Sequence, residues 1–320
     1  MAADAGTEHI AFLLVEDFSH IAFACAIEPL RIANLVSGRA LYRWSLASED
    51  GRTAICSHRS AILVDRGLEP LPAGDRLFLI SGIHVRERVT PRLMAHLRRE
   101  QRRGVRLGAI CSGAYALAMA GLLDGQACAI HWEFHDAFTE AFPDVVLRRS
   151  VFVADAPIPT ASGGPAATDL MLHLIARAHG ADIATAVADQ MVYTAVRGDD
   201  GAQRISLGAR LGLPSEAVRR AIRAMEAHVE DPVSTADLAA QAGISARQLE
   251  RLFGKHLHCS PKKYYMDLRL QRARNLLMQT DMGISEVALA CGFSSGAHFA
   301  RAYRQTYGVG PAEFRAIRAR

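Results

Sequence analysis

Residues 260–279 read SPKKYYMDLRLQRARNLLMQ. Ser260 followed by Pro261 has the form of a helix N-cap and first helical position. No Gly or Pro interrupts the next eighteen residues, so the spacing predicts a helix over 261–279. Met266, Leu270, Ala273 and Leu277 recur at i, i+4, i+7 and i+11, one apolar stripe. Lys262, Arg269 and Arg272 border that stripe on one side, Lys263 and Arg274 on the other. At about 1.5 Å per residue such a helix is roughly 28 Å long.

Its two flanks are copies of each other. Leu249, Arg251, Phe253, Pro261 and Tyr264 correspond, at a spacing of 50, to Phe299, Arg301, Tyr303, Pro311 and Phe314. Each copy is preceded by a helix, a glycine turn and a second helix. In the first, Leu238, Ala239 and Gly243 lead through Ile244 and Ser245 to Leu249, Leu252 and Phe253. In the second, Val287, Ala288 and Gly292 lead through Phe293 and Ser294 to Phe299 and Tyr303. An Ala four residues before a turn Gly lets two helices approach closely, and the apolar residues that follow pin the second helix, the pattern of a helix-turn-helix. One such match is weak. Two in register, joined by a helix able to set them apart by nearly one DNA turn (about 34 Å), are a strong signal for DNA reading.

Charge follows the repeat. From Pro214 to Arg320 there are 16 Lys+Arg against 10 Asp+Glu, a net of +6, whereas the first 213 residues carry 21 against 23. A surplus of Arg is often only a solvated face; concentrated on a paired helix-turn-helix it has the sign that nucleic-acid binding requires. The chain has 320 residues, 50% hydrophobic and 22% charged, which fits two ordinary globular domains. The apolar run Ile10 to Val15 is too short for a signal h-region and follows Asp4 and Glu8. No stretch approaches a membrane span. The six cysteines (25, 56, 111, 128, 259 and 291) are scattered without metal-ligand spacing, pointing to a reducing cytoplasm, no disulfide framework and no metal.

The first 196 residues read as alternating strands and helices: strands at Ile10–Val15, Tyr42–Ala47, Arg76–Ile80, Val105–Ile110 and Ala127–Ile130, with more between Val145 and Pro159. Helices are expected at Ile21–Leu35, Pro91–Arg103, Ala114–Leu123, Ala166–Ala178 and Ile183–Val196. This alternation predicts a parallel sheet covered on both faces, with ligands at the carboxyl ends of its strands. The expected domains are 1–196, a linker over 197–214 that contains Gly198-Asp199-Asp200-Gly201, and an all-α domain over 215–320.

The chemically suggestive site is Gly108-Ala-Ile-Cys111-Ser112-Gly113, a strand-to-helix turn. Small residues around a central nucleophile let the backbone form a strained elbow at the sheet edge. A helix N-terminus after it would lower the thiol pKa and present amides to an anion. Gly82 ends another strand and could offer a facing amide; His131, just after a further strand, could meet the thiol. Cys111 could equally be a small residue in a tight turn and His131 a hydrogen-bonded structural histidine.

Leu238-Ala-Ala-Gln-Ala-Gly-Ile-Ser245, Leu249-Glu-Arg-Leu-Phe253, Ser260-Pro261, Ile284 to Ser294, His298-Phe-Ala-Arg301 and Gly310-Pro311 closely resemble the AraC/XylS family of transcription regulators over about 105 residues. The Cys111 elbow, Ile130-His131-Trp132 and Ser162-Gly-Gly-Pro-Ala-Ala-Thr-Asp169 resemble the ThiJ/PfpI, or class I glutamine amidotransferase-like, superfamily, which implies a flavodoxin-like fold. The pairing, with Glu28-Pro29-Leu30-Arg31, resembles the amidotransferase-like branch of AraC regulators, whose members include sensors of glycine betaine, carnitine and arginine. The enzymes of that superfamily place an acid near the thiol. Glu16 and Asp17 follow the first strand here, but Ala22 stands where isonitrile hydratase-like relatives carry their Asp. Ser112 stands where protease-like members have His.

A nucleophile without orienting partners is a poor catalyst, so the expectation is a sensor and not an enzyme, without a cofactor. The alternative is a Cys-dependent hydrolase or hydratase acting on the effector. The resemblance implies a cytoplasmic, homodimeric activator that binds promoter DNA and RNA polymerase and responds to a betaine, carnitine-like amine or amino acid. It places Arg247, Gln248, Arg251, Ser295, Gly296, Ala297, His298 and Arg301 at the DNA, with Cys111, Ser112, His131, Trp132, Gly82 and Glu16 at the effector. For Arg251 and Arg301 the competing role is an intradomain salt bridge.

Overall fold

Strand β1, Glu8–Leu14, sends Ile10, Phe12 and Leu14 into one apolar core, while Ala11 and Leu13, with Val15 just beyond the strand, enter a second. That two-sided burial is what a continuous apolar run gives when side chains alternate at period two. The computed structural model describes residues 6–194, 196–198, 203 and 215–318. Around β1 lie β2 (Tyr42–Ala47), β5 (Arg76–Ile80), β6 (Arg106–Ile110), β10 (Thr160–Ala161) and β9 (Phe152–Val153), in the order β2-β1-β5-β6-β10-β9. All pairings are parallel except β10 with β9. Helices α1 (His20–Ser37), α6 (Pro165–His179) and α7 (Ala181–Gln190) pack on one face. Helices α2 (Val85–Arg88), α3 (Pro91–Arg102), α4 (Gly113–Met119) and α5 (His135–Ala141) pack on the other. The strand order reverses between β1 and β5, the switch point at which such sheets hold ligands.

Two small sheets lie outside this frame: the antiparallel pair β3 (Thr53–Ile55) and β4 (Ala61–Leu63), and the parallel pair β7 (Ala127–Cys128) and β8 (Val146–Leu147). The strand expected at Ala127–Ile130 stops at Cys128, and the Ala129 N–H donates to the Thr160 hydroxyl. The helix expected to reach Val196 stops at Gln190. Most of the expected linker over 197–214 lies outside the described residues. Of the rest, Arg197 pairs with the buried Asp169 carboxylate at 2.7 Å, and the Gln203 amide donates to the Ile130 and Ser150 carbonyls. The chain divides into the units Met1–Gln203 and Arg204–Arg320.

The second unit is helical: α8 (Glu216–Ala227), α9 (Thr235–Gln241), α10 (Ala246–Leu257), α11 (Pro261–Gln279), α12 (Ile284–Ala290), α13 (Gly296–Tyr307) and α14 (Pro311–Arg318). Helix α11 starts on the Ser260 cap, whose hydroxyl accepts the Lys263 N–H. It serves two separate cores. Tyr265 belongs to the first, with Val218, Leu238, Leu249 and Phe253. Leu270, Ala273, Leu276 and Leu277 belong to the second, with Val287, Phe299 and Tyr303, and Met266 packs at its margin. The single stripe read from the sequence is therefore the wall of the second core. Helix α8 was not anticipated, although Val218, Ala221, Ile222 and Met225 keep a helical i, i+3, i+4, i+7 spacing and are all buried.

Candidate functional site

The two helix-turn-helix copies close in the same way. Gly243 and Gly292 take left-handed φ of 73° and 71°, a conformation natural to glycine. One residue further on, the Ile244 N–H donates to the Ala239 carbonyl and the Phe293 N–H to the Ala288 carbonyl. Ala239 and Ala288 are fully buried, as small residues at the junction of paired helices would be. The second turn is one residue longer, and the spacing between copies passes from 49 at the glycines to 50 at the caps Ser245 and Ser295.

All eight residues expected at the DNA are exposed. Among the described residues none forms an ion pair with Arg247, Arg251 or Arg301, so the intradomain salt bridge weighed for Arg251 and Arg301 is not seen. Gln248 also shapes its own helix start, where its Oε1 accepts from the Ser245 N–H at 3.0 Å and completes a capping box. Ser295 caps α13 by accepting the His298 N–H at 3.3 Å. The flanking cations of α11 are partly committed within the unit. Arg269 donates to the Cys291 and Gly292 carbonyls at 2.8 and 2.6 Å and lies over the Phe293 ring. Arg274 lies over Tyr307 and Phe314. These contacts clamp the second turn and recognition helix to the connecting helix.

In the first unit β6 runs straight into Cys111, whose φ is 62°, a left-handed conformation that costs a non-glycine residue on the order of 1–3 kcal/mol. The surroundings hold it there. The Ser112 hydroxyl donates to the Gly82 carbonyl at 2.6 Å, so Gly82 engages the elbow through its carbonyl. A Cβ on Gly163 would sit 2.7 Å from the Cys111 Cβ, and one on Gly82 would sit 1.9 Å from the Asp17 carbonyl oxygen. The His131 N–H donates to the Cys111 carbonyl at 3.4 Å, bringing the loop after β7 to the elbow.

The electrostatics run opposite to the expectation of an acidic thiol. Burial pushes the Cys111 thiol up to about 11; the Ser112 N–H and hydroxyl act against this, and the negative charge of Glu133 adds to it. Desolvation therefore outweighs the helix that follows, and the thiol is protonated at neutral pH. Burial also lowers the His131 pKa, with Glu133 opposing. The imidazole Nδ1 accepts from the Glu133 N–H at 3.4 Å and lies 3.7 Å from its carboxylate; among the described residues it makes no hydrogen bond to the thiol. The rings of His131 and Trp132 lie 5.6 Å apart. The two acids after β1 are engaged elsewhere. Glu16 accepts the Ile55 N–H at 3.2 Å and lines a cavity of about 160 Å³ whose walls include neither Cys111 nor His131. Asp17 pairs with Arg88 at 2.7 Å. The elbow thus gathers Cys111, Ser112, Gly82, His131 and Trp132, and Glu16 stands apart from it.

Known proteins resemble both halves. A DJ-1/PfpI family model matches residues 8–177 and a helix-turn-helix domain model residues 238–317. The transcriptional regulator GbdR of Pseudomonas aeruginosa is 44% identical over 308 residues, covering 96% of this chain and 84% of that protein. The chain belongs to the AraC-type regulators that carry a DJ-1/PfpI domain. The regulator CdhR of the same species is 42% identical over 306 residues, 96% of this chain and 91% of that one. A crystal structure of an AraC family regulator from Pseudomonas putida matches the fold with a TM-score of 0.51 at 26% identity, over 57% of this chain and 99% of that one.

This AraC-type regulator is a DNA-binding protein, and its DJ-1/PfpI domain is a ligand-binding domain in a chain whose full-length relatives are regulators. Among the described residues no helix is long and apolar enough to cross a membrane. Sequence reading missed Glu133, whose charge helps to raise the thiol's pKa, and Gly163, whose lack of a side chain makes room for Cys111. Glu133 had no signal beyond its place after His131-Trp132. Gly163 lay in a segment quoted for the resemblance without its steric reason.

Proposed function

We propose that the regulator is an activator whose first unit senses a small zwitterion at the Cys111 elbow. The sensing body is 1–196, with Arg197 and Gln203 fastened to it; a linker to residue 214 and a DNA-binding body over 215–320 complete it. The observation that carries this reading is the buried, strained Cys111, its thiol pushed up to about 11, beside His131, whose pKa burial lowers, and the carboxylate side chain of Glu133. Such a site is poor for nucleophilic attack and suited to holding charge apart. The ammonium or quaternary nitrogen of a betaine, carnitine-like amine or amino acid would face Glu133 and the Trp132 ring, where carboxylate and aromatic face both attract a cation. Its carboxylate would face the amides that open α4. Preferential binding to one arrangement of a cytoplasmic homodimer would shift how the DNA-binding unit is presented to the promoter and to RNA polymerase.

A thermal-shift screen of betaines, carnitine-like amines and amino acids, with turnover assayed in parallel, tests this. A zwitterion should raise the melting temperature and be recovered unchanged. Glu133→Gln should weaken its binding by about 1–3 kcal/mol, the value of a hydrogen bond or ion pair to a charged group. Stabilisation that is indifferent to Glu133→Gln, or consumption of the ligand, contradicts the reading.

For the DNA, Arg247 and Arg251 face bases from α10, and Arg301 and His298 do so from α13. Arg reads guanine in a bidentate manner, so Arg247→Ala or Arg251→Ala should each cost about 1–3 kcal/mol at the cognate site. Gly296 and Ala297 leave α13 with fewer donors and hence weaker discrimination. Footprint titrations of both variants on the regulated promoter check this; unchanged footprints contradict it.

A further inference from the structure

Two imidazoles meet where α1 begins and the β3–β4 connection turns back. His20 Nδ1 and His58 Nε2 are 2.8 Å apart, with the rings stacked at 5.0 Å. The Cys56 thiol completes a triangle in which all three ligand atoms lie within 4.8 Å of one another. We infer that His20, Cys56 and His58 form a binding site for a borderline-soft divalent ion of the zinc class, with a fourth position open to solvent or an exogenous ligand.

The donor set is the one such ions select: two imidazole nitrogens and one thiolate. The backbone presents it from both sides. His20 is the first residue of α1, directly after the cap Ser19. Cys56 and His58 lie in one tight turn, closed by the Arg59 N–H on the Cys56 carbonyl, with Arg59 at a left-handed φ of 73°. The Ser57 N–H donates to the Phe18 carbonyl, which fastens that turn to the chain two residues before His20.

Ser60 supplies the outer support that metal-bound imidazoles need. Its hydroxyl lies 3.2 Å from His58 Nδ1, so an Nδ1–H donating to it would leave Nε2 bare and aimed at His20. A tetrahedral ion needs ligand atoms about 3.3–3.6 Å apart, so the present triangle needs only small side-chain rotations. On binding, the thiol proton leaves to solvent, and the proton shared by the two rings is replaced by a change of tautomer. Cys56 is buried, His20 half-buried and His58 exposed, which gives the ion a route in past His58. Cys56-x-His58 has no second cysteine nearby and its third partner lies 36 residues upstream, so ligand spacing in the sequence does not disclose it.

The test is titration of the full-length protein with Co²⁺ alone, followed by displacement with Zn²⁺. One equivalent should give tetrahedral d–d bands and a thiolate-to-cobalt charge-transfer band. Cys56→Ser should remove the charge-transfer band, and the exposed His58→Ala, which leaves the core intact, should weaken binding more than about 100-fold. Ser60→Ala should weaken it about 10-fold through the imidazole it orients, and Cys111→Ser should leave the spectrum unchanged. Failure of the wild-type protein to bind Co²⁺ at one equivalent overturns the inference. So does a spectrum that survives His58→Ala or loses its charge-transfer band in Cys111→Ser.

Discussion

Insertion of one alanine after Leu268 should abolish promoter-specific binding while leaving salt-sensitive, sequence-independent binding in place. Leu268 is the last residue of α11 to pack with the first reader, as Tyr265 does, whereas Leu270 to Leu277 pack with the second, whose margin Met266 also touches. One extra residue turns everything beyond it by about 100° and advances it about 1.5 Å, so both recognition helices can no longer enter successive major-groove segments on one face of the duplex. An insertion after Arg274 would be less informative, because it would divide Ala273 from Leu276 and Leu277 inside the second core itself. The rotation also pulls Gly292 away from Val229 and Pro232, against which that turn is seated. Affinity at the cognate promoter should fall at least ~100-fold, towards the non-specific level. Fluorescence anisotropy on cognate and scrambled duplexes, with circular dichroism as a folding control, measures it; undiminished cognate affinity would mean the two halves read DNA independently.

Gly163→Ala should strongly destabilise the first unit and disrupt the Cys111 elbow. The position has a φ of +95°, and the added Cβ would lie 2.7 Å from the Cys111 Cβ and 2.9 Å from its Cα. Neither is the end of a flexible side chain, so the elbow or the loop leading to α6 must move. Backbone strain and overpacking together put the loss at about 3 kcal/mol or more. For a unit of this size that corresponds to a melting temperature lower by roughly 6–12 °C. Effector-dependent stabilisation should disappear with it. Calorimetry of the full chain resolves the outcome; a melting temperature within a degree of wild type would show that the elbow tolerates a side chain opposite Cys111.

Local signals were legible in the sequence where one segment decides its own conformation. The connecting helix starts on Ser260-Pro261 and ends before Thr280, at the bounds its cap and unbroken interior imply. The paired turns were legible because a glycine in a left-handed conformation and an alanine four residues before it are both properties of short segments. Gln248 was open to a better reading, since Ser245 followed three residues later by Gln is a capping-box pattern. It is the capping contact that the structure displays. What escaped was decided by distant parts of the chain. The acidity of Cys111 depends on how deeply it is buried and on Glu133, contributed by the loop after β7. Glu16 follows the strand that leads towards the thiol's edge of the sheet but is drawn away by the Ile55 N–H, part of a β3–β4 pair too short to announce itself.

The division between sensing and chemistry rests on Cys111, and a substitution of the same size separates them. Cys111→Ser keeps volume and hydrogen-bonding capacity while removing any accessible thiolate. The decisive measurement is promoter activation in cells carrying Cys111→Ser, by an effector shown to bind the pure variant. Activation retained with modestly altered effector affinity is the expected result. Complete loss of activation, with folding and effector binding intact, would contradict sensing and show that a product of the thiol's chemistry is the true inducer.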